Sequence, residues 1–182
     1  YEDYMPYGNH PELPVFVGEM PLDVHAPGCY TSQAEMKRYN RRNEQLADAA
    51  ERSAVIADWM GAVPYPKEAL NDAWKRFLWH QFHDDLTGTS IPRAYEFSWN
   101  DELISLKQFG DVLTTSVGAV SRGLDTDVKG LPVVLYNAAG FEVSDVVEVT
   151  LPLEGSKFTV YDHKGVRVPS QVLGTQQGQT RL

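Results

Sequence analysis

The 182-residue chain is long enough for one large domain or two small ones, and 42% hydrophobic with 23% charged residues is the composition of a globular protein with a buried core. A formal charge of -9 argues against nucleic acid and anionic membrane surfaces, which it would repel at long range, and favours a neutral or cationic ligand. Cys29 is the sole cysteine, which excludes an internal disulfide and a thiolate metal cluster and leaves histidine and carboxylate as metal ligands; no apolar run is long enough for a membrane span.

Residues 1 to 31 are broken by proline and glycine, with one short apolar run at Pro14-Val15-Phe16-Val17, and read as loop with at most one strand. They resemble the tail of a preceding domain, and the opening at Tyr1 without a Met reads as a processed chain or an excised piece. Glu19, beside Gly18, is by default a solvated carboxylate. Ser32-Gln33-Ala34-Glu35 has the pattern of a capping box and predicts a helix start.

From there Met36, Tyr39, Leu46, Ala50, Ala57 and Met60, with Asn43 and Ser53 counted in, recur in steps of three and four, the stripe of a long helix packed in a bundle. Asp48 and Arg52 form an i, i+4 pair on its wet side. Gly61 and Pro64-Tyr65-Pro66 end this helix, and Pro66 begins the next, whose Ala69, Leu70, Ala73, Trp74, Phe77 and Leu78 are set for burial.

The second helix runs into Trp79-His80-Gln81-Phe82-His83-Asp84-Asp85-Leu86-Thr87-Gly88-Thr89. While the helix lasts, His80, His83 and Asp84 share one face, and Gly88 supplies the positive φ that a helix end often needs. Ser98-Trp99-Asn100-Asp101 resembles another capping box, followed by Leu103, Leu106, Phe109, Leu113, Val117 and Val120 at helical spacing. Gly123, Asp125 to Asp127 and Gly130 then mark a boundary.

Beyond the boundary the period changes to two. Val133 to Asn137, Val146 to Leu151, Phe158 to Tyr161 and Val166 to Val168 read as strands, Asp162 to Gly165 as a hairpin turn, and Gln176 to Gln179 as a frayed polar end. The expected class is α+β: a tail at 1–31, a three-helix bundle at 32–124, and at 131–182 the start of an antiparallel β-sandwich-like domain.

Two imidazoles and two carboxylates within six residues are the main concentration of chemistry. Zinc takes both donor types but needs three or four ligands, and His10, His25 and His163 stand at no recognisable ligand spacing. On residue type alone His80 is a satisfied or exposed helix histidine, and Asp84 and Asp85 accept from backbone donors in the turn. Trp59, Trp74, Trp79 and Trp99 fall on helical stripes and read as core.

Gln81-Phe82-His83-Asp84-Asp85-Leu86-Thr87-Gly88-Thr89 resembles the Gln-His-His-Asp-Ala-Ile-Thr-Gly-Thr segment of the glycoside hydrolase family 38 α-mannosidases. Gly18-Glu19-Met20 through Gly28-Cys29-Tyr30-Thr31 is similar to the family's Gly-Glu-Leu and Arg-Gly-x-Tyr-Thr region, and Val168-Pro169-Ser170-Gln171 to its Val-Pro-Ser-Gln. The resemblance implies a retaining exo-mannosidase that acts on mannose-containing glycans through a covalent glycosyl-enzyme, with one zinc ion at the sugar's 2- and 3-hydroxyls.

Carried over by position, His83 is a zinc ligand and Asp84 a sugar contact; Asp85, His80, Tyr30 and Glu19 are lesser candidates. Phe82 stands for the family's first His, Asp85 for a small residue, and Ala26-Pro27 where relatives carry Arg or aromatic residues near the sugar. The nucleophile, the acid/base and the other zinc ligands have no counterpart in this chain, so the expectation is a fragment that is inactive and weakly zinc-binding without an N-terminal catalytic domain. The alternatives are an HD-type metal phosphohydrolase, suggested by His83-Asp84, and a non-catalytic helical/β module that binds glycan or protein. Oligomerisation and compartment stay open.

Overall fold

A computed structural model of the chain describes residues 10–19, 21, 24–153, 155 and 157–182; Met20, part of the matching Gly18-Glu19-Met20 segment, and residues 1–9 lie outside the described residues. The chain divides into two compact units, Tyr1–Ala138 and Ala139–Leu182. Three helices followed by a few short antiparallel strands make the observed architecture: α1 (Ala34–Trp59), α2 (Lys67–Trp79), α3 (Pro92–Ser121), β1 (Thr150–Leu151), β2 (Val160–Tyr161), β3 (Arg167–Val168), β4 (Gly174–Gln176) and β5 (Gln179–Arg181). No helix among the described residues is long and apolar enough to cross a membrane.

Before the helices, a 3-10 turn at Pro27–Tyr30 is the one regular element among the described residues. The strand allowed at Pro14 to Val17 does not form, and Val15 and Val17 stand in solvent. α1 begins where expected, but without the capping box. Gln33 takes the cap position at φ 52 with no side-chain cap bond, while Glu35 turns to Arg38 and the Ser32 carbonyl accepts from Lys37 Nζ.

The buried face of α1 is Met36, Asn43, Ala47, Ala50, Ser53, Ala54 and Ala57. Ala47, Ala50 and Ala54 let α2 and α3 approach closely, and Leu70, Ala73, Phe77, Phe109 and Val112 complete the apolar cluster. Each large side chain fully buried there contributes roughly 1.5–3 kcal/mol. Trp74 packs edge-on against Phe109, with ring centroids 5.4 Å apart, and its indole N–H reaches Glu51 Oε1 at 2.8 Å. Ala69 and Leu78, expected inside, lie outward, as do Trp59 and Trp79 at 86% and 76% exposure, so two of the four tryptophans are not core.

α3 starts at Pro92, about two turns before Ser98. Proline suits this first position, where its missing N–H has no helical partner. Its buried residues, Tyr95, Ser98, Glu102, Ser105, Phe109, Val112, Ser116 and Ala119, are offset by one residue from most of the expected stripe. The offset has a cause: the seam against α1 is partly polar. Asn43 Nδ2 donates to the Glu102 carboxylate and, at 3.2 Å, to its carbonyl, and Ser105 Oγ donates to Asn43 Oδ1 at 2.9 Å. Glu102 is fully buried and its Oε1 has no partner among the described residues. Burial pushes its carboxyl up to about 7, against the opposing effects of His80 and the Asn43 bond.

In the second unit β1, β5 and β4 form a three-stranded antiparallel sheet, and β2 with β3 a two-stranded one. The Asp162 to Gly165 turn is present, with Gly165 at φ +76 and Asp162 Oδ1 accepting the Lys164 and Val166 amides at 2.8 Å. Those amide bonds, the Val166 bond foremost, hold the Asp162 carboxyl below its ordinary range. Gln177 and Gly178, expected to fray, both take positive φ (49 and 78) and close a tight β4–β5 hairpin. That is the geometry a two-residue loop needs to follow the strand twist. Val133 to Asn137 joins no ladder among the described residues.

Candidate functional site

α2 stops at Trp79, with His80 as its C-cap residue, so the three groups expected on one helical face part company. From His80 to Gly88 the chain is a succession of turns. His80 turns inward and is 4% exposed, whereas the His83 and Asp84 side chains are 76% and 51% exposed.

The inner side of the turn is a buried polar network. His80 Nδ1 lies 2.7 Å from Asp85 Oδ2, and His80 Nε2 lies 3.2 Å from Asp101 Oδ2 on α3. Ser98 Oγ lies 2.9 and 3.0 Å from the two Asp85 oxygens, within reach of donating to either. Arg76 Nη1 pairs with Asp101 Oδ1 at 2.8 Å, which ties α2 to α3 just behind the histidine. Tyr95, also buried, donates its hydroxyl to the Asp84 carbonyl at 3.1 Å and accepts the Ser90 amide at 3.0 Å. His80 is the satisfied alternative of the sequence reading, and its partner Asp101 and Asp85's partner Ser98 lie on the next helix, out of reach of a local pattern.

The outer side carries the residues named for function. His83 Nε2 is 3.5 Å from Asp84 Oδ2. Asp84 Oδ1 accepts Thr89 Oγ1 at 3.0 Å, and the Asp84 carbonyl accepts the Thr89 and Ser90 amides at 3.2 and 3.0 Å. Thr87 Oγ1 donates to the His83 carbonyl. The turn meets α1 at two points: Gln81 Nε2 donates to Asn40 Oδ1 at 3.0 Å, and Gly88, at φ +83, rests on Ser32. Tyr30 and Glu19 are exposed, Tyr30 at the end of the 3-10 turn and Glu19 in coil.

An imidazole nitrogen and a carboxylate oxygen side by side are donors that zinc accepts. Among the described residues, however, no group of three or more His, Cys, Asp or Glu is placed to hold a metal. By itself the turn is therefore not a complete coordination shell.

The pattern described as the alpha mannosidase middle domain matches residues 25–120, which spans all three helices and the turn. The alpha-mannosidase 2C1 of Mus musculus is 29% identical over 142 residues, covering 78% of this chain and 13% of that protein. The alpha-mannosidase of Saccharomyces cerevisiae is 35% identical over 103 residues, with 53% and 9% covered. Alpha-mannosidase G of Dictyostelium discoideum is 28% identical over 160 residues, with 76% and 14% covered. The chain thus spans between 9% and 14% of the length of these relatives. Helices, turn and sequence together place the chain in the glycoside hydrolase family 38 α-mannosidases, as a member carrying their middle domain.

Proposed function

We propose that this chain is a section of a retaining exo-α-mannosidase that removes terminal α-linked mannose from glycans. It comprises the end of the catalytic domain (1–31), the helical middle domain (32–124) and the start of the β domain (131–182). The observation that carries the reading is the outward pairing of His83 and Asp84 on a turn whose inner side is fully engaged. In this reading His83 offers its free imidazole edge as one ligand of a zinc ion, and Asp84 grips mannose hydroxyls.

Thr89 supports that second role. By occupying Asp84 Oδ1 it holds the carboxylate and leaves Oδ2, which faces His83 Nε2 at 3.5 Å, as the acceptor for a sugar O–H. The ion, when bound, would orient the sugar's 2- and 3-hydroxyls and favour ring flattening. Asp85 and His80 are committed to each other in the interior and take neither role. The nucleophile, the acid/base and the other metal ligands belong to the remaining part of the enzyme.

Hydrolysis of an aryl α-mannoside tests the reading from both directions. The 182-residue chain with added zinc should show no turnover, and turnover would refute the division of the site. In the complete enzyme His83→Ala should lower zinc content and activity together; retained metal would refute the ligand role.

A further inference from the structure

We propose that His80 and Asp85 form a buried positioning clamp that closes the base of the His80 to Asp85 loop and so forces His83 and Asp84 to its outer apex. The proposal rests on the reading of His83 and Asp84 as zinc ligand and sugar contact. His80 and Asp85 are five residues apart, and their 2.7 Å contact closes a short ring of chain that contains residues 81 to 84. Each end of the clamp is fastened to α3, His80 through Asp101 and Asp85 through Ser98. Both clamp residues are buried, at 4% and 9% exposure, so water competes poorly for their bonds. The clamp residues touch neither sugar nor metal; they act through the backbone of the turn. Groups hydrogen-bonded directly to a metal-ligating histidine are typically worth 10–100-fold in metal affinity, and a clamp that acts through the backbone is set at the lower end of that range.

The test uses the complete mannosidase with Asp85→Asn, Ser98→Ala and, as reference, His83→Ala. Zinc affinity is read by chelator competition, and amide hydrogen exchange is followed in peptides covering residues 82–90 and α1. The expected result is a loss of zinc affinity of about tenfold or more in Asp85→Asn, and a smaller loss in Ser98→Ala. Exchange should quicken at residues 82–90 in both and stay unchanged in α1. If His83→Ala loses zinc while both clamp variants keep wild-type affinity and exchange, the clamp is overturned and the site reading stands. Faster exchange throughout the helices, in place of the turn alone, would overturn it as well, since that is general destabilisation. If His83→Ala keeps its zinc, the site reading fails, and exchange alone judges the clamp: a loosened turn supports it and an unchanged turn overturns it.

Discussion

Gly88 lies so close to Ser32 that a β-carbon on it would fall 2.5 Å from Ser32 Cβ and 2.7 Å from the Ser32 carbonyl oxygen. This contact seats the end of the functional turn against the entrance of α1, and the backbone atom involved cannot step aside as a flexible side chain would. Gly88→Ala should therefore combine left-handed strain with a backbone clash and cost about 2–4 kcal/mol. Gly61, at φ +67 with nothing within 4 Å, isolates the strain: Gly61→Ala should cost only about 1 kcal/mol. Urea midpoints of the two variants decide the matter, and equal losses would mean that the Ser32 contact contributes nothing.

A second prediction concerns pH. The Glu102 carboxyl titrates near 4.5 when solvated and near 7 when buried in the fold. Between those values the unfolded chain has released the proton and the folded chain keeps it, so folding takes up a proton and stability falls as pH rises. The favourable contribution is complete below about pH 4.5 and gone above about pH 7, a difference of about 3 kcal/mol. Glu102→Gln, which keeps an amide oxygen for Asn43, should remove this part of the slope. Denaturation at pH 5 and pH 8 checks it: the difference between the two pH values should be smaller in the variant, and an identical pH dependence would exclude Glu102 as its source.

Tyr95 holds the outer turn by its hydroxyl alone, through the Asp84 carbonyl and the Ser90 amide. Tyr95→Phe keeps the ring in its buried site and removes one bond from each of those groups, which keep the bond between them, at about 0.5–1.5 kcal/mol. In the complete enzyme the same change should lower kcat/KM on an aryl mannoside while secondary structure by circular dichroism is kept. Unaltered kinetics would show that the hydroxyl is not needed to hold Asp84.

The tryptophans should separate into two classes. Trp74 is wedged between Phe77 and Phe109 and bonded to Glu51, so Trp74→Ala should cost roughly 2–4 kcal/mol. Trp59→Ala, at an exposed helix end, should change the stability of this chain by less than about 0.5 kcal/mol. Acrylamide quenching should fall on Trp59 and Trp79 first, and strong protection of either would contradict their placement.

Much of the helical unit was legible because its apolar residues repeat at helical spacing: α1 begins at Ala34, and Asn43 and Ser53 are buried in its stripe as the period requires. α3 was misread in start and phase for one reason. Its inward face carries Ser98, Glu102, Ser105 and Ser116, and a search for apolar period passes over residues whose burial depends on partners in another helix. The same blindness affected His80 and Asp85, whose meaning lies in Ser98 and Asp101. The shape of the turn itself was open to reading only through Gly88. In the β unit the Asp162 loop was visible as turn chemistry, whereas Gln177-Gly178 looked like a polar tail because its flanking strands are only three residues long and mostly polar.

The polar seam of α1 and α3 also acts as a ruler. An interface of alanine and valine alone would tolerate sliding, since one small apolar contact replaces another. A slip of one helical turn, about 5.4 Å, would separate Asn43 from Glu102 and Ser105 and strand their polar groups at about 1–3 kcal/mol each. Only one longitudinal setting of the two helices lets all three residues bond to one another. Because His80 and Asp85 hang from Asp101 and Ser98, in the same stretch of α3 as Glu102, that setting also dictates where His83 and Asp84 emerge along the axis of the bundle.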